Sequence, residues 1–457
     1  MLFYINISFT LISLLLFRLS PEEYSYQFCL TINILFIVQN LIYFILRRNR
    51  SLVGFQFLFM IAFYFTNFVY PVFYFVNNPT FSIFEYTFNY DIISKATSIA
   101  YVAYSFYFLG MSIAERNEET SIEQTPEKDY SVIASFSFRL TVIALLLYII
   151  SGGIKAMGSL YSGDGEIIEQ GISAYFYMLL FSSATVLSAF VFNVEDKTKQ
   201  ILYLIFIAGI ILLLVFIGTR TMPLALCLIL MISFSSKVKK IPNSVFLSLL
   251  IFGAIFLTFI MFARSSSIGD QDYTKNAIEN VDLTSVWDIG SDLIINNRSL
   301  YTLIDFADDF GHTYGLNLIG GIFSPIPYLQ GFFCSAFNVP TYLISSATFN
   351  TFLEFGPDFS WGIGTNVVSD IYLAFGMFGI AAFFTFLGWI ISKSELRSNN
   401  NLYWNIIYLL FVSNSVYLVR SGFFDGFRTF VWSLLIVYLL ELLRSKLDNQ
   451  KNKIEIT

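Results

Sequence analysis

The sequence predicts an all-α polytopic membrane protein of about twelve transmembrane helices with one large outer-face (periplasmic) loop. Three observations predict it. Of 457 residues, 56% are hydrophobic and 13% are charged, against about 25% charged in an ordinary soluble domain. Apolar runs recur from one end of the chain to the other, each near the roughly 20 residues that a helix needs to cross a bilayer core. The basic residues between those runs alternate in abundance, as the positive-inside rule requires.

The runs fall at 2–17, 28–46, 52–75, 93–113, 138–153, 173–192, 201–218, 219–236, 245–263, 366–391, 402–419 and 429–443. The first lacks the basic region and small-residue cleavage site of a signal peptide and reads as a retained span. The fifth and last are short, as is the first. Residues 201–236 would form about 54 Å of helix, too long for one crossing and right for two. The turn then falls at Gly218–Thr221, with Pro223 in the first turn of the returning helix, where proline is tolerated.

With a cytoplasmic N-terminus, 17 of the 26 Lys and Arg residues lie inside and nine outside. The inside segments include RRNR at 47–50, KVKK at 237–240 and the C-terminal tail. Four regions are therefore expected. They are an N-terminal bundle over 1–263 with a polar cytoplasmic linker near 115–130, an outer loop over 264–365, C-terminal transmembrane helices over 366–443, and a cytoplasmic tail over 444–457. The outer loop begins soluble-looking and acidic, then becomes aromatic and rich in Gly and Pro. Pro325, Pro327, Gly320, Gly321 and Gly331 argue against a regular span there. Short amphipathic helices on the membrane surface, partly covering a cavity, are expected instead.

No dinucleotide fingerprint, phosphate-binding loop, zinc-protease motif or nucleophile elbow occurs in a suitable setting. Nucleotide use on the cytoplasmic side has no support, and any reaction needs an already activated substrate. Cys29, Cys227 and Cys334 form no CxxC or Cys/His cluster, so neither a disulfide framework nor a structural zinc site is expected. No cofactor, metal or nucleic-acid partner is expected.

The residues that could carry chemistry lie at span ends and in the outer loop. Arg220 reads either as a snorkelling arginine held by headgroups or as an anion site beside a helix start. Arg264, Arg298, Arg420 and Arg428 are the other outer-face arginines, and guanidinium pairs suit a diphosphate because each binds two oxygens. His312, the single histidine, can act as a general base near neutral pH or simply pack. Asp305, Asp308 and Asp309 could orient it or serve as bases, and acidic loop clusters are often just solvated. Asp370, at the start of an apolar span, is ionisable near bilayer depth, a default sign of function.

Three stretches carry a resemblance: FIGTRTMPLALCLIL, GHTYGLNLIGGIFSPIP and GPDFSWGIGTNVVSDIYLAFGMFGIAAFF. Over roughly 201–391 the chain resembles the Wzy-type O-antigen polymerases, which join oligosaccharide repeat units. The matching positions are Gly362, Gly364, Asp370, Tyr372, Phe375, Gly376 and Gly379. The resemblance implies a nucleotide- and metal-independent glycosyltransferase in the bacterial inner membrane. Its donor and acceptor would be undecaprenyl-diphosphate-linked glycans, with a chain-length regulator as a further candidate partner. The five arginines would face the leaving diphosphate, and His312, Asp309 or Asp370 would serve the attacking hydroxyl. Two alternatives stay open at this point, an O-antigen ligase using the same donor and a lipid-linked oligosaccharide flippase or other transporter. The transporter would favour internal repeats and short outer loops, neither of which the sequence shows.

Overall fold

The computed structural model describes residues 1–47, 51–76, 88–118, 130–159, 171–217, 219–265, 290–357 and 362–456. The described residues are helical, with no strand among them. A helix covers each of the twelve apolar runs, and six helices are long and apolar enough to cross a membrane.

Some boundaries differ from the hydropathy expectation, for local reasons. The third run stops as regular helix at Asn67, because Pro71 has no N–H to offer the Asn67 carbonyl. One π turn, Tyr70–Tyr74, follows instead, closed by the Phe75 N–H on the Tyr70 carbonyl at 3.0 Å. The fifth run lengthens to Ser131–Ile150, and the eleventh shortens to Leu402–Asn414. The long apolar stretch divides where expected, into Lys197–Ile217 and Thr221–Lys237, with Arg220 at the start of the second helix.

The chain forms two compact units, neither continuous in sequence. The first comprises Met1–Gln124, Gly290–Asn399 and Asn414–Arg428; the second comprises Thr125–Ile289, Asn400–Ser413 and Thr429–Thr457. Most of the expected outer loop, from Gly290 onward, thus belongs with the N-terminal helices.

At the centre of the first unit, Ile92–Glu118 packs along Val367–Arg397. Their backbones touch. A Cβ on Gly388 would sit 1.9 Å from the Tyr107 carbonyl oxygen, and one on Gly110 would sit 2.0 Å from that of Thr385. Small residues at the crossing allow this approach, the usual solution where helices associate without a hydrophobic drive between them. Polar pairs join the other helices to this core: Asn6 Nδ2 donates to Ser112 Oγ (2.6 Å), and the Tyr104 hydroxyl donates to Asn40 Oδ1 (2.6 Å). Arg47 pairs with Glu395 at the far end of the long helix.

The loop helix Asn297–Phe310 is amphipathic, as expected, but its apolar face is not left for lipid. Leu300, Tyr301, Leu303, Ile304 and Ala307 are buried, and the helix packs on Ile92–Glu118 and Val367–Arg397. In the second unit, Ser131–Ile150 pairs with Ser173–Phe190. Tyr148, Tyr177, Leu180, Leu214 and Leu226 share one buried cluster there.

Candidate functional site

The first unit holds a site built where one helix ends and another breaks. Asn297–Phe310 terminates at Gly311, whose φ of +94° turns the chain sharply; glycine adopts this conformation without the cost a Cβ brings. His312 follows at once. It meets Val367–Arg397 where that helix is interrupted at Gly376, with φ 60° and ψ −150°. A Cβ on Gly376 would lie 2.7 Å from His312 Nε2, so only glycine leaves room for the imidazole.

The interruption redirects hydrogen bonds. In an unbroken helix the Leu373 carbonyl would accept from residue 377. Here it accepts from the Thr313 N–H at 2.9 Å and from Thr313 Oγ1 at 3.3 Å. Thr313 Oγ1 also bonds Asn317 Oδ1, and Asn317 Nδ2 donates to Asp370 Oδ1 at 2.7 Å and to its carbonyl at 2.9 Å. The second Asp370 oxygen accepts from the Phe423 N–H at 2.8 Å. Asp370 is thus fully buried, and both of its carboxylate oxygens have donors.

Tyr372 lies two residues along. Its ring meets the His312 ring edge to face, centroids 5.6 Å apart, and its hydroxyl donates to Asp308 Oδ1 at 2.8 Å. Lys95 Nζ pairs with the other Asp308 oxygen at 2.6 Å. Asp305, one turn earlier, accepts from Asn89 Nδ2 at 2.9 Å. Partial burial pushes its carboxyl above the ordinary range, and the Asn89 bond opposes that rise. Asp309 is exposed. His312 Nδ1 is buried and has no hydrogen-bond partner among the described residues. An imidazole nitrogen in that state can accept a proton.

The arginines divide between the units. Arg298 is 2% exposed in Asn297–Phe310, within a polar seam. In that seam Asn297 Nδ2 donates to the Thr66 carbonyl (2.7 Å), Asn350 Nδ2 to Ser299 Oγ (2.7 Å), and Asn366 Nδ2 to Asn67 Oδ1 (2.8 Å). Arg420 and Arg428, both partly exposed, bracket the turn that supplies the Phe423 N–H. Arg428 Nε donates to the Ser324 carbonyl at 2.7 Å. Arg220 belongs to the second unit, and the side chain of Arg264 lies outside the described residues.

Of the expected catalytic candidates, His312 and Asp370 therefore share one hydrogen-bonded neighbourhood through Thr313 and Asn317, and Asp309 stands at its edge. Sequence reading alone did not find Lys95 or Asn317. Lys95 carries a faint signal, a single lysine in the first turn of an apolar helix; Asn317 carries none.

A family model described as O-antigen polysaccharide polymerase Wzy matches residues 1–452. No curated protein and no solved structure matches the chain.

Proposed function

The chain belongs to the O-antigen polysaccharide polymerase Wzy family, and from that membership we propose a nucleotide- and metal-independent transfer centred on His312. The protein is an integral membrane polymerase of O-antigen repeat units. In the proposed reaction the growing glycan leaves undecaprenyl diphosphate and joins the next lipid-linked unit, on the outer face of the inner membrane. The acceptor hydroxyl attacks the anomeric carbon, its proton passes to His312, and the bond to the diphosphate breaks. A positioned base of this kind contributes about 10²–10⁴ in rate.

The observation that carries this reading is His312 itself, set against Gly376 beside the Tyr372–Asp308–Lys95 chain, its Nδ1 without a hydrogen-bond partner among the described residues. Arg420 and Arg428 suit a leaving diphosphate, since guanidinium forks bind paired oxygens. Arg298, being buried, suits a structural role in the polar seam. Asp370, with both oxygens bonded, suits a positioning role, and Asp309 suits contact with the acceptor. Arg220 and Arg264 are proposed separately as anion-binding residues of the second unit, Arg220 at a helix start. A cytoplasmic N-terminus and C-terminus accord with the loop charges.

Deleting the gene in its host tests the reading. Surface lipid carrying single repeat units is expected, with long chains restored by the wild-type gene but not by His312→Gln. Loss of all attached glycan would instead mark a ligase, and lipid-linked units trapped inside would mark a flippase. Long chains restored by His312→Gln would remove the base.

A further inference from the structure

From Phe310 to Leu353 the sequence contains no Asp, Glu, Lys or Arg. Water-facing loops ordinarily carry polar and charged residues, so a run of this length without charge stands out. The segment is well organised: Ile319–Phe323, Leu329–Phe337 and Ser346–Phe355 are helical, and Gln330 Nε2 bonds the Gly320 carbonyl. One side of it packs inward. A Cβ on Gly320 would strike the Ile344 carbonyl at 2.6 Å, and one on Gly321 would strike Phe424.

The other side faces outward. Phe310, Tyr314, Ile326, Tyr328, Phe332 and Phe337 are all exposed, Tyr314 at 85% and Phe332 at 70%. Two of these hold a left-handed backbone, Tyr314 with φ 54° and Tyr328 with φ 62°. Such conformations are strained for side chains of this size, and they persist where the surroundings compensate.

We infer that this uncharged aromatic face of residues 310–337 is embedded in the interfacial layer of the bilayer, its partner being electrically neutral lipid. Aromatic rings favour that layer, and apolar burial of the face follows from the ordinary hydrophobic drive. The segment itself supplies no cation for anionic headgroups, unlike basic amphipathic anchors, and the Arg428 guanidinium that borders it is tied through Nε to the Ser324 carbonyl at 2.7 Å. A glycan groove fits less well: Phe310, Ile326, Phe332 and Phe337 offer no donor or acceptor for sugar hydroxyls. Continuity supports the assignment, because Gly315 and Phe375 lie in contact and Phe378, three residues on and past the break at Gly376, is 81% exposed in a candidate span. The inference stands apart from the chemistry proposed for His312.

The test uses the full chain reconstituted in phosphatidylcholine vesicles. All five tryptophans lie outside 310–353, so Phe332→Trp and Ile326→Trp each add one reporter there. Brominating the acyl chains near the headgroup should quench the added emission at least about twofold, while aqueous acrylamide leaves it nearly unchanged. Adding phosphatidylglycerol should alter neither result. Acrylamide quenching without bromine quenching, at both positions, overturns the inference. So does bromine-insensitive emission that shifts on adding the free oligosaccharide repeat unit, which would make the face a sugar surface.

Discussion

Gly376 is the position where a single hydrogen atom decides the site. Its backbone lies in a region close to glycine's own, which costs other residues about 1–3 kcal/mol, and a methyl group there would also displace His312. Gly376→Ala is expected to lower chain extension by at least tenfold while leaving membrane insertion intact, read from surface glycan ladders against protein level. Tyr372→Phe keeps the ring against His312 and deletes only the bond to Asp308. Activity should fall with a changed pH profile; a profile identical to wild type would reduce the Tyr372–Asp308 bond to scaffolding. Asp370→Asn places an amide where two N–H donors converge. It is expected to destabilise the first unit by about 1–3 kcal/mol, measured as a lower unfolding temperature in detergent. His312 and Asp370 were legible in sequence because one is the single histidine and the other opens an apolar span. The chain from Lys95 through Asp308 to Tyr372 was not, since its members are far apart in sequence and only packing brings them together. The helix break at Gly376 was also hidden. A glycine inside an aromatic helix looks the same whether it permits close packing or a change of backbone direction.

At the scale of elements, hydropathy located a helix in each apolar run, and Pro71 explains where the third run overran. The hairpin at Arg220 was readable from length alone, because no single crossing needs 36 residues' worth of helix. The role of Asn297–Phe310 was less readable. Its amphipathic pattern specified that one face is covered but not whether lipid or protein covers it, and here protein does. The crossing of Ile92–Glu118 with Val367–Arg397 yields a sharper expectation. Gly388→Ala must push Tyr107 and its helix aside, and overpacking of this kind costs about 1–3 kcal/mol. Gly388→Ala and Gly110→Ala should each lower the yield of folded protein. Gly209→Ala, where a Cβ meets nothing within 4 Å, should leave it unchanged.

For the whole molecule, the loop charges predict an orientation that fusions can read. A fluorescent protein after Thr457 should fluoresce, and alkaline phosphatase fused within 290–357 should be active, as expected when the C-terminus is cytoplasmic and the loop is outside. The reverse pattern would turn the proposed active site to the wrong side of the membrane for the donor. What hydropathy could not convey is the partition into units. Local composition divides the chain into bundle, loop and tail, whereas contacts join residues 1–124 to 290–399 and 414–428. That grouping depends on which faces meet, and a run of apolar residues does not encode its neighbour.

The close crossing at Gly110 and Gly388 also has a consequence in time. Its two halves are separated by almost three hundred residues of chain. At about 5–20 residues per second, the usual speed of synthesis, the earlier helix waits roughly 14–56 s for its mate. Throughout that interval Ile92–Glu118 must stand in the bilayer with its glycine groove open. Quality control therefore meets this protein as a half-built bundle, and any helix that fits the groove first competes with the one intended for it.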